Sequence, residues 1–211
     1  MDSFAEARAR MVTEQIEQRG IREPRLLEAL RFVPRHAFVT AENLDLAYAD
    51  RPLPIGFRQT ISQPYIVALM TDLLKLKGDE RVLEVGTGCG YQAAILSKLA
   101  REVHTMELVP ELAERAKENL SDYANVSVHV GDGSLGWPDA APYDGILVAA
   151  AAPKAPKDLL AQLTDGGRLV IPVGGRNLQR LEVWTRKGEA YQTDSVISVA
   201  FVPLRGEQGW D

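Results

Sequence analysis

The sequence predicts an α/β domain built on a doubly wound, mostly parallel β-sheet, with an antiparallel C-terminal part and an N-terminal helical cap. From residue 80 onwards, short β-rich runs such as RVLEVG (81–86) and DGILVAA (144–150) alternate with helical stretches such as PELAERAKENL (110–120). This alternation is typical of parallel strands that are connected by helices. The 211 residues, 45% of them hydrophobic, suffice for one well-filled core, so we expect a single domain over 1–211.

The first 78 residues are expected to form the helical cap and a loop for a substrate. Helical patterns cover 4–19, a second helix begins near Pro24, and a third begins near Pro64 and ends at Gly78. Residues 43–61 are rich in proline and glycine and are expected to be irregular.

Residues 79–174 are expected to form a ligand-binding α/β core, and 175–211 a C-terminal β extension. The tail RLEVWTRKGEAYQTDSVISVAFVPL has the pattern of antiparallel strands around a turn at Lys187 and Gly188. Ligands of doubly wound sheets bind outside the carboxyl ends of the strands. The residues that follow each β-rich run are therefore the candidates for function.

Charge and composition argue against several classes of function. The 24 basic and 29 acidic side chains give a formal net charge of −5, which disfavours a nucleic-acid partner. A lone cysteine, Cys89, and an N-terminus without an apolar signal sequence favour the cytoplasm. The longest apolar run, ILVAAAA, is too short to cross a membrane. His36, His104 and His129 have no metal-ligand spacing, so no metal is expected.

The segment VLEVGTGCGYQAA contains the end of the first strand and carries alternating glycines, Gly86, Gly88 and Gly90. Without Cβ atoms, such a loop turns tightly and lets a ligand approach main-chain N–H groups. Gly88, Gly90 and Ala93 also fit G-x-G-x-x-A, so a nicotinamide-dependent dehydrogenase is one alternative. Glu84 favours another ligand, because a carboxylate here would repel a pyrophosphate and attract an ammonium group. S-adenosylmethionine, which has ammonium and sulfonium groups and no phosphate, is therefore the expected cofactor.

The next strand ends support a cationic nucleoside. Glu107 can accept hydrogen bonds from both ribose hydroxyls and Asp132 from the adenine amino group. Each acid taken alone is better explained as a solvated loop residue, and it is their combination at one edge of the sheet that favours the cofactor. Cys89 is expected to be a small residue packed under the ligand rather than a nucleophile. The fourth strand end, AAAAPKAP (149–156), lacks the acid or amide and the proline pair of methyltransferases that modify base amino groups. This absence favours an acceptor that is already ionised at pH 7, such as a carboxylate.

Blocks along most of the chain resemble the protein-L-isoaspartate O-methyltransferase family. The TISQP block together with the closing FVPL is specific to that family, whereas the glycine loop identifies only a broad cofactor class. One departure is Arg58, where the family usually has glycine. The resembling blocks are MVTEQIEQRGI, VPRHAFV, RQTISQPYIVALM, VLEVGTGCGY, GDG, YDGILVAAAAPKAP, GGRLVIPVG and FVPL.

The resemblance implies a Rossmann-like, class I S-adenosylmethionine-dependent methyltransferase that repairs proteins. Such an enzyme methylates the free α-carboxylate of L-isoaspartyl residues in damaged proteins and peptides and leaves S-adenosylhomocysteine. The ester then closes to a succinimide, whose hydrolysis returns part of the material to aspartate. A cytoplasmic monomer with peptide substrates, and with no nucleic-acid or membrane partner, is expected. Alternatives are a methyltransferase for another small acid or a nucleic acid, and a non-catalytic peptide-binding module.

The resemblance also implies the site residues, with the essential serine at Ser62. A nucleophilic role is not expected, because ISQ lacks the G-x-S-x-G context and a histidine and acid to activate it. We expect the hydroxyl to hold the acceptor carboxylate in line with the methyl group, and an N-cap role for the following helix stays open. The expected cofactor-binding residues are Thr60, Ile61, Ser62, Glu84, Gly86, Thr87, Gly88, Gly90, Glu107, Leu108, Asp132 and Gly133. The expected substrate-binding residues are Ile61, Gln63, Pro64, Val202 and Pro203.

Overall fold

A seven-stranded sheet organises the computed structural model, which describes residues 3–210; residues 1, 2 and 211 of the expected domain lie outside that part. Across the sheet the strands follow the order β5-β4-β3-β6-β7-β8-β9, and β1 pairs with β2 in a separate hairpin. Strands β5 to β7 in this order run parallel, and β8 and β9 are antiparallel, as expected. The strands are β1 (Leu53–Gly56), β2 (Gln59–Ile61), β3 (Arg81–Val85), β4 (Glu102–Glu107), β5 (Val126–Val130), β6 (Tyr143–Val148), β7 (Leu163–Gly174), β8 (Gln179–Lys187) and β9 (Ala190–Val199).

Helices pack on both faces of the sheet, so its central strands are buried on two sides. In β6, Ile146 belongs to the core that includes Leu159, and Leu147 belongs to the opposite core that includes Leu74. Strands buried in this way are apolar along their whole length, which is the pattern that predicted them. Over residues 3–210, no helix is both long and apolar enough to span a membrane. The α-helices are α1 (Phe4–Arg10), α2 (Pro24–Phe32), α3 (Pro64–Leu74), α4 (Tyr91–Ser97), α5 (Pro110–Asn119) and α6 (Lys157–Ala161).

The N-terminal cap covers the predicted helical stretch 4–19, but not as one regular α-helix. Helix α1 begins in a capping box with Ser3 and passes into a wider π-helical turn, Met11–Ile16. A short 3-10 turn, Glu17–Arg19, follows, and Gly20 ends the segment with a left-handed φ of 97°. Met11, Val12 and Ile16 of this segment are buried in the hydrophobic core, so the cap is joined to the core by packing.

The expectation of an irregular stretch over 43–61 is wrong in its second half. Strands β1 and β2 form an antiparallel hairpin in which Leu53 pairs with Ile61. The turn consists of Phe57 and Arg58, with φ values of 52° and 60°. Two successive left-handed residues are typical of a type I′ turn, which usually contains Asn-Gly. The hairpin escaped prediction because Phe-Arg carries no turn signal.

Two other predicted boundaries differ in accuracy. Helix α3 begins at Pro64 as predicted, but it ends at Leu74 rather than at Gly78. It ends there because Lys75 takes a left-handed conformation with φ of 56°. The predicted turn at Gly188 is confirmed, since it joins the antiparallel strands β8 and β9.

Candidate active site

A cleft lies where the strand order reverses, at the carboxyl ends of β3 and β6. The chain goes from β3 to β4 and β5 on one side, and from β6 to β7 on the other. In doubly wound sheets this reversal point is where ligands bind. The predicted residues that line the cleft are Thr60, Ile61, Ser62, Glu84, Gly86, Thr87, Gly88, Glu107, Leu108, Gly133, Val202 and Pro203. Four others, Gln63, Pro64, Gly90 and Asp132, do not line it.

The glycine loop is fixed to the neighbouring strand β4 by main-chain hydrogen bonds. The N–H groups of Gly86 and Thr87 both donate to the carbonyl of Met106, at 2.9 and 3.2 Å. The next glycine N–H, that of Gly88, donates to Oε2 of Glu107 at 2.8 Å. The loop is therefore held in place by β4 and by an acid that the sequence assigned to the ligand.

Gly90 supports the loop rather than lining the cleft. Its φ of 91° is left-handed, and a Cβ atom there would lie 2.9 Å from Cδ1 of Leu120. Both facts require glycine. The adjacent Cys89 is buried and lines the cleft, as expected for a small packing residue. Burial raises the pKa of its thiol, so it is a poor nucleophile at neutral pH.

Glu84 is fully buried and has one unpaired oxygen. Its Oε2 accepts a hydrogen bond from the Thr105 hydroxyl at 2.6 Å, and that hydroxyl lies 2.7 Å from the hydroxyl of Thr87. Because Thr105 donates its proton to Glu84, Thr87 is the donor to Thr105. Within residues 3–210, Oε1 of Glu84 has no hydrogen-bond partner. Burial, with a smaller contribution from Glu107, raises the pKa of Glu84 to about 8.

The two other acids are held by main-chain donors. Glu107 accepts from Gly88 through Oε2 and from Val109 through Oε1, at 2.8 and 3.0 Å. Each carboxylate oxygen has two lone pairs, so Glu107 keeps free acceptor capacity on the cleft wall. Asp132 differs, because Oδ1 accepts from the N–H and hydroxyl of Ser134 and Oδ2 from the N–H of Glu207. Asp132 therefore joins its own loop to the C-terminal tail.

Ser62 lies between the hairpin and helix α3, half-buried on the cleft wall. The N-cap of α3 is Gln63, and its side chain makes no capping hydrogen bond. The N-cap interpretation of Ser62 is therefore wrong. The C-terminal tail completes the cleft, where the carbonyl of Val202 accepts from the N–H of Ala151 at 2.8 Å. Ser62 and the tail, far apart in sequence, thus line one cleft.

Sequence reasoning missed several cleft residues. Phe57 was missed because it lies in the unpredicted turn; its side chain is 53% exposed. Arg205 follows the FVPL block and places a cationic residue on the wall. Val85, Met106 and Leu204 are each adjacent to a predicted residue, which was the only signal for them. The missed residues are Phe57, Gln59, Val67, Val85, Tyr91, Gln92, Met106, Val109, Ala149, Ala150, Leu204 and Arg205.

Two histidines that lack metal-ligand spacing in the sequence, His104 and His129, lie next to each other in the structure. Nδ1 of His104 lies 3.0 Å from Nε2 of His129, and Nε2 of His104 lies 2.9 Å from Oε1 of Glu102. Neither ring lines the cleft. No group of three potential metal ligands occurs in the part of the chain that the structure describes.

Known proteins resemble this chain over nearly its whole length. The model of the family described as Protein-L-isoaspartate(D-aspartate) O-methyltransferase (PCMT) matches residues 6–209. The protein-L-isoaspartate O-methyltransferase of Dictyoglomus turgidum is 53% identical over 201 residues, which cover 94% of this chain and 91% of the relative. Protein-L-isoaspartate O-methyltransferase 1 of Syntrophobacter fumaroxidans is 52% identical over 213 residues, with 100% of both chains covered.

Solved structures agree with the fold. A structure named protein-L-isoaspartate O-methyltransferase has a TM-score of 0.87 at 27% identity and covers 96% of this chain and 67% of that chain. Another, from Plasmodium falciparum, is described as a PCMT in complex with S-adenosyl-L-homocysteine. It has a TM-score of 0.82 at 24% identity and covers 94% of this chain and 98% of that chain.

Proposed function

This chain belongs to the protein-L-isoaspartate O-methyltransferase family, and we propose on that basis which residues of the cleft bind the cofactor and position the substrate. The enzyme transfers a methyl group from S-adenosylmethionine to the free α-carboxylate of L-isoaspartyl residues in damaged proteins and peptides. Succinimide formation and recovery of aspartate follow, and S-adenosylhomocysteine is the other product. One observation carries the proposal: the unpaired oxygen of buried Glu84 and the half-buried Ser62 belong to the same cleft.

The chemistry of the cleft fits the cofactor. The free Oε1 of Glu84 is an acceptor for the ammonium group of the amino-acid part. Glu107, which keeps acceptor capacity, would bind the ribose hydroxyls. Leu108 is 43% exposed and offers apolar surface on the same wall. We assign no contact with adenine to Asp132 from geometry, because Asp132 does not line the cleft. Its role in cofactor binding stays a prediction, as do those of the other expected residues.

The protein residues act by position rather than by proton transfer. When bound, S-adenosylmethionine supplies an electrophilic methyl group on a sulfonium. The acceptor carboxylate is ionised at pH 7, so no general base is needed. In the proposal, the Ser62 hydroxyl donates a hydrogen bond to this carboxylate and fixes its direction. Buried walls such as Ile61 exclude water, which favours a step in which opposite charges neutralise.

We place the peptide substrate between the Ser62 loop and the tail. Ile61, Gln63 and Pro64 would contact it from one side, and Val202 and Pro203 from the other. In this proposal the functional parts divide after residues 78 and 174, into cap and substrate loop, cofactor core and C-terminal extension.

We infer a monomer in the cytoplasm without a nucleic-acid partner. The formal net charge of −5 supports the absence of nucleic-acid binding. A single, buried cysteine is compatible with a reducing compartment.

Ser62→Ala tests the assignment. Loss of a hydrogen bond to a charged group corresponds to about 1.5–3 kcal/mol, so we expect kcat to fall about 10- to 100-fold. Calorimetry with S-adenosylmethionine should give a dissociation constant within about two-fold of the wild type, because a carboxylate-positioning hydroxyl contributes little to cofactor binding. Ser97→Ala is the control, since Ser97 is buried in α4, donates to the carbonyl of Ala94 and does not line the cleft. A large loss of cofactor affinity, or an unchanged kcat, would contradict the role of Ser62.

A further inference from the structure

The loop that carries Ser62 is attached to the N-terminal cap through one carboxylate, Asp50. Its Oδ2 accepts a hydrogen bond from Nε2 of Gln63 at 2.8 Å and pairs with Nη1 of Arg19 at 2.8 Å. Its Oδ1 accepts from the main-chain N–H of Tyr65 at 3.3 Å. The guanidinium of Arg19 also lies over the Tyr65 ring, 3.3 Å from its centroid. Asp50 therefore binds Gln63 and Tyr65, and Arg19 contacts both Asp50 and Tyr65.

Helix α3 depends on Asp50 for its N-terminal cap. The N-cap residue, Gln63, makes no side-chain bond to the helix, and Pro64 at the first position has no N–H. The first helical N–H that needs a partner is that of Tyr65, and Asp50 provides it. A negative charge at this end of the helix is also favoured by the helix dipole.

Ser62 is thus fixed on both sides. Before it, Ile61 pairs with Leu53 in the hairpin, only three residues after Asp50 in the sequence. After it, Gln63 is bound to Asp50. The Ser62 side chain itself makes no hydrogen bond within residues 3–210, so its hydroxyl is free for a substrate.

The segment that presents Asp50 is itself anchored to the cap. The carbonyl of Ala47 accepts from Nε of buried Arg35 at 2.8 Å. The carbonyl of Tyr48 accepts from Nε2 of Gln15 at 2.8 Å. Asp50 consequently connects a rigid support to the loop.

We propose that Asp50 is a positioning residue for methyl transfer, which keeps the backbone of residues 61–65 in the conformation that turns Ser62 toward the acceptor carboxylate. The inference rests on the proposed role of Ser62. Because the Asp50 side chain is 27% exposed, replacing it leaves no sealed cavity in the core.

Asp50→Ala removes the bonds from Asp50 to Gln63, Tyr65 and Arg19, and it tests the proposal. We expect kcat for an isoaspartyl peptide to fall about 10-fold. Here kcat is expressed per cofactor-binding site, and the sites are counted by calorimetric titration with S-adenosylhomocysteine. The kcat of Asp50→Asn should fall less, because the Oδ1 of asparagine can still accept from the N–H of Tyr65. The matched control is Asp72→Ala at the other end of α3, where Asp72 pairs with Lys75 at 2.6 Å and its side chain is 23% exposed. Its kcat should stay within about two-fold of the wild type.

A purely structural role would lower the amount of folded enzyme and leave kcat per binding site unchanged, and that result for Asp50→Ala would overturn the proposal. Hydrogen exchange gives a second readout without cofactor or substrate. The N–H group of Tyr65, which donates to Asp50, should exchange at least about 10-fold faster in Asp50→Ala, and not in Asp72→Ala. Unchanged exchange of the Tyr65 N–H in Asp50→Ala would contradict the proposed role of Asp50.

The double variant separates this inference from the role of Ser62. If Asp50 acts through Ser62, Ser62→Ala combined with Asp50→Ala should be no slower than Ser62→Ala alone. Independent, multiplying losses would overturn the inference. If Ser62→Ala alone keeps the wild-type rate, the proposed function of Ser62 fails. If Ser62→Ala is slow and Asp50→Ala is not, only the inference about Asp50 fails.

Discussion

The buried carboxyl group of Glu84 should couple cofactor binding to proton release. Its pKa of about 8 leaves a neutral fraction of 1/(1 + 10^(7−8)), or about 0.9, at pH 7 in the cofactor-free enzyme. The unpaired Oε1 is expected to accept from the ligand's ammonium group, which favours the ionised form. Binding at pH 7 should therefore release about 0.9 proton from Glu84 at each site.

The pH dependence of affinity follows from the same titration. The ionised fraction of Glu84 rises from about 0.01 at pH 6 to about 0.09 at pH 7, so the dissociation constant should fall about nine-fold over this unit. Glu84→Gln keeps an oxygen that can accept from Thr105 but cannot ionise. This variant should lack that pH dependence, release no proton from this position, and bind about 10-fold more weakly at pH 7.

Calorimetry with S-adenosylhomocysteine, which has the same ammonium group, measures both quantities. Titrations in two buffers with different heats of ionisation give the protons released, and titrations at pH 6 and 7 give the slope. The cofactor-free enzyme provides a further check. Because the pKa of Glu84 in the folded protein lies above its ordinary value of 4.5, the protonated Glu84 stabilises the folded state at low pH. That contribution is lost as the pH rises through about 8, so Tm should decrease with pH more steeply than in Glu84→Gln. Equal proton release in both proteins would refute the assignment of Glu84 to the ammonium group.

Three further substitutions probe the cleft and the hairpin turn beside it. Arg58→Gly should raise the free energy of unfolding by about 1 kcal/mol, because Arg58 has a φ of 60° that glycine adopts without strain; an unchanged denaturant midpoint would contradict this. Glu107→Ala should weaken S-adenosylmethionine binding more than it lowers kcat. An unaltered dissociation constant and KM for the cofactor would exclude the proposal that Glu107 binds the ribose hydroxyls. Cys89→Ser should keep most activity, since the buried thiol has a raised pKa and no catalytic role; loss of activity with intact cofactor binding would point to chemistry at this position.

Patterns local in sequence predicted the sheet and much of the cleft wall. The apolar runs marked each central strand because strands buried on both faces need apolar residues throughout. The acids at the carboxyl ends of those runs, such as Glu84 and Glu107, came together because parallel strands end at the same edge of the sheet. The FVPL resemblance predicted that the tail segment with Val202 would also reach the cleft, as it does.

Contacts between distant residues could not be predicted in this way. Asp50 lies 13 residues from Gln63 and 31 from Arg19, and no spacing rule links the three. Asp132 was predicted to face the ligand, but the conformation of the tail brings the Glu207 N–H to it. The hairpin turn at Phe57 was missed because a left-handed conformation is imposed there by strand pairing and not by residue type.

Methyl transfer to two peptides is the decisive test of isoaspartyl-specific methylation by this enzyme. The peptides differ only in whether one residue is L-isoaspartyl or L-aspartyl, and the methyl group of S-adenosylmethionine is labelled. We expect base-labile label in the isoaspartyl peptide alone, and a strongly reduced rate with Ser62→Ala. Label in both peptides, or in neither while S-adenosylmethionine still binds, would contradict this expectation.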